Sequence, residues 1–445
     1  LIISRSLNEA TILAGACFLL GLCFGAPAEA QSNDVAVGAG AGASSVKSSY
    51  EPSMSAELPA GVSGGLDSPA SAAKAATVSR GTLMTVAELH RRLGELFEIL
   101  GQYDSAQTQL KEVIAIDERL YGADHPAIIV DLTGLGALQY RSGRYNDAAQ
   151  TLSRALIMAE RALGQEHQAV AAILATLGNT YNELGRLTDA EPLLKRSLAI
   201  RLNAPLAHDI EIAQALNNLA DLYLAKGRLK GAERLLLDAL VRLHKGDLQT
   251  ERLPTGQSLV AQLRHDRSSL RAHTDAEVTV LGAVLNNLGC LYHLRHKDTL
   301  ARDLYQLAIE VKSTASGGDL LGLSTTYSNL SGSLLLSGDV EQALSLSLDA
   351  CEIDSRTLPA YHPHVAIDQI GLADVYLASG QLAKAQSIYS GALATLAQTL
   401  PETHAIVIKC RARCASVSRK LQSVMMRQKL AAQKASKAWS QPPFR

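Results

Sequence analysis

The chain has 445 residues, is 47 % hydrophobic and carries a formal net charge of −1, enough to bury a substantial core and too balanced for a bulk polyanion or polycation. Nucleic acid is therefore not an expected partner. Aromatic residues at 4 % suit a soluble helical protein whose core is built from Leu and Ala layers.

The opening "TILAGACFLLGLCFGAPAEA", residues 11–30, is an apolar run of signal-peptide length that ends in a small-x-small site and follows Arg5. Residues 1–30 are read as a signal peptide, with cleavage after Ala30 and a mature start at Gln31; an uncleaved anchor is the alternative. Residues 31–85 are Gly, Ala, Ser and Pro with few large apolar side chains, so they are expected to be a disordered linker. "GAGAGA" within them lacks the preceding strand and following helix of a phosphate loop.

From residue 86 to residue 404 the chain repeats. Gly101, Gly143, Gly185, Gly227, His296, Gly338 and Gly380 stand 42 residues apart, except for one interval of 69. Five residues past each is an alanine: Ala106, Ala148, Ala190, Ala232, Ala301, Ala343 and Ala385. Seven residues before each is a small residue, such as Gly94, Gly178 or Ala220, directly after a leucine. Three residues beyond the small one, an aromatic is usual, as at Phe97, Tyr181, Tyr223, Tyr292 and Tyr376.

This order of Leu-small, aromatic, Gly and Ala resembles the tetratricopeptide repeat, a helix-turn-helix unit. The 42-residue period, with loops such as "GADHPAI" and "AYHPHVAI", resembles the kinesin-light-chain type. The resemblance implies an all-α fold, a right-handed superhelix of seven helix pairs over 86–404, and residues 405–445 as a capping helix and basic tail. Within each unit the small residue lets helix A and helix B approach, and the Gly ends helix A in a left-handed turn. His296 replaces that Gly and is expected to mark a strained turn. "TDAE", Thr188–Glu191, reads as a capping box for helix B, with Pro192 near its first turn.

The long interval places 27 extra residues at about 246–276, an elaboration on the solenoid or a flexible excursion. After Glu402 there is no acidic residue but ten Lys and Arg. That tail is either a solvated cap or a contact for anionic lipid or nucleic acid.

No catalytic constellation emerges. His125, His167, His208, His362 and His404 recur in one inter-repeat loop and belong to the repeat, and HExxH, Walker and GxSxG motifs are absent. Cys290, Cys351, Cys410 and Cys414 have no zinc spacing. The chain is expected to be non-enzymatic, with no cofactor, metal or small-molecule substrate.

The resemblance implies partner binding by helices A along the concave face. Three before, one after and four after the small residue share one helical face. These positions, with neighbours, nominate Arg91 and Glu95 in the first repeat, Asn179 and Asn182 in the third, Asn217 and Asp221 in the fourth, Asn286 and His293 in the fifth, and Asp374 in the seventh. The asparagines could hold a peptide backbone, since an amide both donates and accepts; they could equally be a solvated helix face. Asn218, Asn287 and Asn329, next to the core leucine, are read as structural. Arg91, Thr133, Ala175 and Asn217 depart from the Lys/Arg clamp for C-terminal carboxylates. The expected function is an exported scaffold that binds a protein or peptide; the alternative is a cytosolic or membrane-tethered adaptor that uses its basic tail.

Overall fold

The computed structural model describes residues 79–205, 208–243, 274–315 and 319–439. Within them are fifteen α-helices and no strand. They run α1 (Arg80–Ile99), α2 (Tyr103–Tyr121), α3 (Ile128–Arg141), α4 (Tyr145–Leu163), α5 (Gln168–Glu183), α6 (Leu187–Leu202), α7 (Asp209–Ala225) and α8 (Leu229–Leu243). After the insertion come α9 (Asp275–Leu294), α10 (Asp298–Lys312), α11 (Leu320–Leu336), α12 (Val340–Thr357), α13 (Pro363–Ala378), α14 (Leu382–Thr399) and α15 (Ala405–Trp439). Odd and even helices are the A and B members of seven pairs, each packed on its partner and on the next pair, with α15 packed on α14.

The two small-residue columns have separate steric reasons. A Cβ on Gly178 would lie 2.7 Å from Leu194 Cγ, on Gly136 2.5 Å from Leu152 Cγ, and on Gly289 2.5 Å from Tyr305 Cε1. Helix A therefore sits directly on a large side chain of its helix B. Gly185 has φ +73° and closes a Schellman turn: its N–H donates to Asn182 O at 2.9 Å, and Arg186 N–H donates to Tyr181 O at 2.8 Å. The acceptor in that second bond is the residue of the aromatic column in all seven repeats, from Phe97 to Tyr376.

His296 keeps the same turn at φ +58°, the sole non-glycine with positive φ among the described residues. Its N–H still donates to His293 O and the Lys297 N–H to Tyr292 O, both at 2.9 Å. A side chain in the left-handed region costs roughly 1 kcal/mol. His296→Gly is thus expected to leave stability unchanged or raise it by up to about 1 kcal/mol; a lower melting temperature would show that the imidazole contributes more than the strain costs.

Several boundaries differ from the sequence expectation. Residues 80–85, expected in the linker, are helical: the Ser79 hydroxyl caps α1 by accepting from Thr82 N. Thr274 opens α9 with a full capping box to Glu277, taking Thr274–Ala276 out of the insertion. The capping box expected at Thr188 does not form: α6 already begins at Leu187 behind Arg186, and Pro192 lies inside the helix. The N-cap position falls on Arg186, whose guanidinium cannot accept a hydrogen bond, whereas Asp339 at the equivalent place caps α12 by accepting from Gln342 N. The signal peptide (1–30), residues 31–78, the insertion from 246 to 273 and residues 440–445 lie outside the described residues.

The array also touches itself. Tyr361, in the loop before α13, donates from its hydroxyl to Asp104 Oδ1 at 3.0 Å, and the Arg144 guanidinium lies over its ring. The His362 ring meets Tyr145 edge-on, and a Cβ on Gly143 would strike Pro363 Cδ at 2.6 Å. The next loop repeats the contact, with His404 Cδ2 3.0 Å from a Cβ built on Gly185. Both histidine–glycine pairs span the same length of chain, so loops of the seventh repeat and the cap seat on A–B turns of the second and third repeats.

Candidate functional site

The inner helices A carry the polar residues that the sequence nominates, but the structure turns many of them into contacts between repeats. Asn182 Nδ2 donates to Asp221 Oδ2 at 2.8 Å, Asn287 Nδ2 to Asn217 Oδ1 at 3.1 Å, and Asn329 Nδ2 to Asn286 Oδ1 at 3.0 Å. Asn217, Asp221 and Asn286 are buried. Their reading as exposed groove residues is corrected on that point: the next helix A comes close enough to cover them. The division between binding and structural asparagines dissolves too, since the "structural" amide of one repeat holds the "binding" amide of the repeat before.

Other nominated residues are tied into side-chain pairs. Arg91 bridges Asp117 at 3.1 Å and Asp131 at 2.9 Å. Burial works against its charge, and the carboxylates outweigh burial and raise its pKa. Asp117 is pushed up to about 6 by burial and by the neighbouring Asp131 carboxylate. Asp374 accepts from the Tyr389 hydroxyl and pairs with Arg413 of α15; burial nonetheless raises its pKa. These ties make Arg91 and Asp374 part of the array's two ends. His293 Nδ1 lies 3.0 Å from Asp298 Oδ1, and Glu95 is exposed.

What remains open on the inner side is uneven along the array. On α5, Ala172, Thr176 and Asn179 are half-exposed, with Asn182 beside them; on α3, Val130 and Gly134 continue the strip. On α7 and α9, residues 212–222 and 278–292 are buried throughout. Gln139 Oε1, Asn182 Oδ1, Gln214 Nε2 and Asn217 Nδ2, on α3, α5 and α7, are buried without a hydrogen-bond partner. On the outer side, a cleft of about 370 Å³ between α2 and α4 has Ile114, Leu132 and Leu135 among its lining residues, with Lys111, Glu118 and Arg154 also contributing.

Five sequence segments match the tetratricopeptide repeat profile, at residues 85–161, 140–203, 169–242, 280–356 and 322–398. The chain belongs to the tetratricopeptide repeat family. Its 42-residue helix pairs keep the kinesin-light-chain-like period. Similar solved structures include BtubC (BKLC) from P. vanneervenii, 19 % identical, covering 61 % of this chain and 91 % of that one, at TM-score 0.37. A putative kinesin light chain of Podosopora anserina with nearly identical TPR-like repeats is also 19 % identical, covering 62 % and 98 %, at TM-score 0.26. The TPR2AB domain–pHSP90 complex of yeast Sti1 is 17 % identical, covering 75 % and 99 %, at TM-score 0.25. No curated protein matches significantly.

In this tetratricopeptide repeat protein four of the five recurring loop histidines bond the backbone at or just ahead of a helix start; His208 makes no such bond. His125, His167, His362 and His404 each accept on Nδ1 from the backbone N–H two residues on, at 3.0–3.3 Å. The acceptor role requires a neutral ring with its proton on Nε2. The sequence signal was the column itself; its cap chemistry became legible only with the helix starts. At His404, burial lowers the pKa, against an opposing pull from Glu183. A folded-state pKa below the unfolded one gives stability that is present above the unfolded value, ~6.5, and lost as pH falls through the folded value. His404→Asn, which can still cap, is expected to flatten the fall in melting temperature between pH 7.5 and pH 5 relative to the parent chain; parallel curves would refute the assignment.

Among the described residues no group of three or more His, Cys, Asp and Glu could hold a metal ion, and no helix is long and apolar enough to cross a membrane. Cys290, Cys351, Cys410 and Cys414 are unbridged, and burial pushes the Cys410 thiol up to about 11.

Proposed function

We propose that this chain is a non-catalytic protein-interaction scaffold that takes an extended segment of a partner along the inner faces of the second and third repeats. The observation that supports this reading is the strip on α3 and α5, where Thr176 and Asn179 are half-exposed and the neighbouring Gln139 and Asn182 amides are incompletely bonded, while α7 and α9 are closed. Amide and hydroxyl groups suit a peptide backbone, to which they both donate and accept without selecting one side-chain sequence. Asn217, Asp221 and Asn286 act in this scheme by fixing the spacing of the repeats.

The test is selection of binding peptides from a random display library on the full chain, followed by affinity measurement with Asn179→Ala, which alters a half-exposed side chain. A loss of roughly five- to a hundredfold at unchanged melting temperature is expected. Wild-type affinity in that variant would reject the inner strip. Export is a further part of the proposal, carried by the leader-like residues 11–30. N-terminal sequencing of the mature protein should find Gln31; an uncleaved start would favour a cytosolic or tethered adaptor.

A further inference from the structure

Inside the array, one side of every helix A is covered by helix B of the preceding repeat. No repeat precedes α1 among the described residues, yet its sequence still carries the covered face. Leu96 is 56 % exposed, whereas Leu138, Leu222 and Leu291 at the equivalent position are 0 % exposed. Leu89, Leu93 and Leu100 are exposed as well, and with Leu96 they follow i, i+4, i+7, i+11, a single apolar stripe along the helix. A solenoid end that meets water needs a polar outer face, so this one is built to be covered. Glu88 and Glu95, both exposed, stand seven residues apart beside the stripe.

The other end offers a helix with the converse problem. α15 has 35 residues, about 50 Å at 1.5 Å per residue. Its first half buries Val407, Cys410 and Val417 against the array. Beyond Leu421 it runs uncovered, with Val424, Met425, Met426 and Leu430 exposed. Lys420, Arg427 and Lys434 recur every seven residues along it, and no acid follows Glu402.

We infer that the distal half of α15 from one copy of the chain lies along the α1 stripe of a second copy, in the place of the missing helix B. Apolar surface meets apolar surface, and the seven-residue row of cations falls against Glu95, Glu88 being paired with Arg91 and Arg92. Each copy carries both a tail and a head, so two copies that exchange tails make the contact twice and close a dimer with two-fold symmetry. The sequence from Pro52 to Pro69 carries three prolines among Gly, Ala and Ser, without the apolar period of a helix B. The chain's own tail does not supply the cover, since the α1 stripe and the distal half of α15 are both exposed.

The experiment is sedimentation velocity on the full chain at micromolar concentration, with two variants: Leu93→Glu/Leu96→Glu at the head and a chain ending at Leu421 at the tail. The parent chain should sediment at twice the monomer mass and each variant at the monomer mass, with melting temperatures close to the parent's because the altered side chains are exposed. Mixing the variants should restore a dimer, held by the one intact tail on the one intact head. A monomeric parent chain overturns the inference. So does a head variant or a tail-truncated chain that remains dimeric, since that places the contact between like surfaces. A parent chain that stays monomeric but binds vesicles containing anionic lipid through its tail would give α15 a membrane surface as its partner instead.

Discussion

Replacing Lys312 by Met is expected to lower stability by about 3–5 kcal/mol, the range for breaking a buried ion pair by removing one member. Lys312 is buried at the end of α10, where its Nζ donates to Gly322 O at 2.8 Å and Thr326 Oγ1 at 3.2 Å, and lies 3.7 Å from Asp319 Oδ2. Burial pulls the ammonium pKa down, and Asp319 opposes that shift. The stem passes over Gly282 so closely that a Cβ there would sit 2.5 Å from Lys312 Cγ. Met would fill the stem's volume but leave the buried Asp319 carboxylate without its cation. Asp319 also caps α11 by accepting from Gly322 N at 3.0 Å, so part of its hydrogen bonding survives. Adding Asp319→Asn to Lys312→Met should recover some of the loss, because the uncompensated charge is removed. Urea unfolding checks both; a loss below about 1 kcal/mol for Lys312→Met would mean that the pair behaves as a solvated surface bridge.

Asn217→Ala is expected to cost roughly 1–3 kcal/mol, the penalty for leaving a buried hydrogen-bonding group without its partner. The group left behind is Asn287 Nδ2, which loses Asn217 Oδ1 as acceptor on the neighbouring helix A. Because the pair links the fourth and fifth repeats, on either side of the insertion, the loss should appear as a weaker junction between the two halves of the array. The double variant Asn217→Ala/Asn287→Ala should destabilise by less than the sum of its parts, as contacting residues do. A melting temperature equal to the parent's would return Asn217 to the solvated surface and reopen it as a binding residue.

These two positions show where sequence reasoning stops. The 42-residue period located every helix pair, because the close A–B crossing and the left-handed turn each demand a small residue at one fixed place. The register even singled out His296, whose φ is positive for the same local reason. Periodicity placed Asn217, Asp221 and Asn286 correctly on one face of helix A; it could not give the distance to the next helix A, which decides whether that face meets water. The loop histidines were assigned to the repeat without a role, since a cap depends on where the following helix starts. Lys312 and Asp319 are not legible as a pair in the sequence, because a lone Lys and Asp seven residues apart carry no pattern.

The sequence by itself determined the number of repeats, their turns and the family, all properties of contacts within a single unit that recur at fixed spacing. Only the tertiary structure decided which polar residues are buried between units, where the array seats on itself at Gly143 and Gly185, and which apolar faces stay uncovered at α1 and α15. Those outcomes depend on the small rotation and translation from each repeat to the next, which accumulate over seven units from side-chain packing between helices distant in sequence.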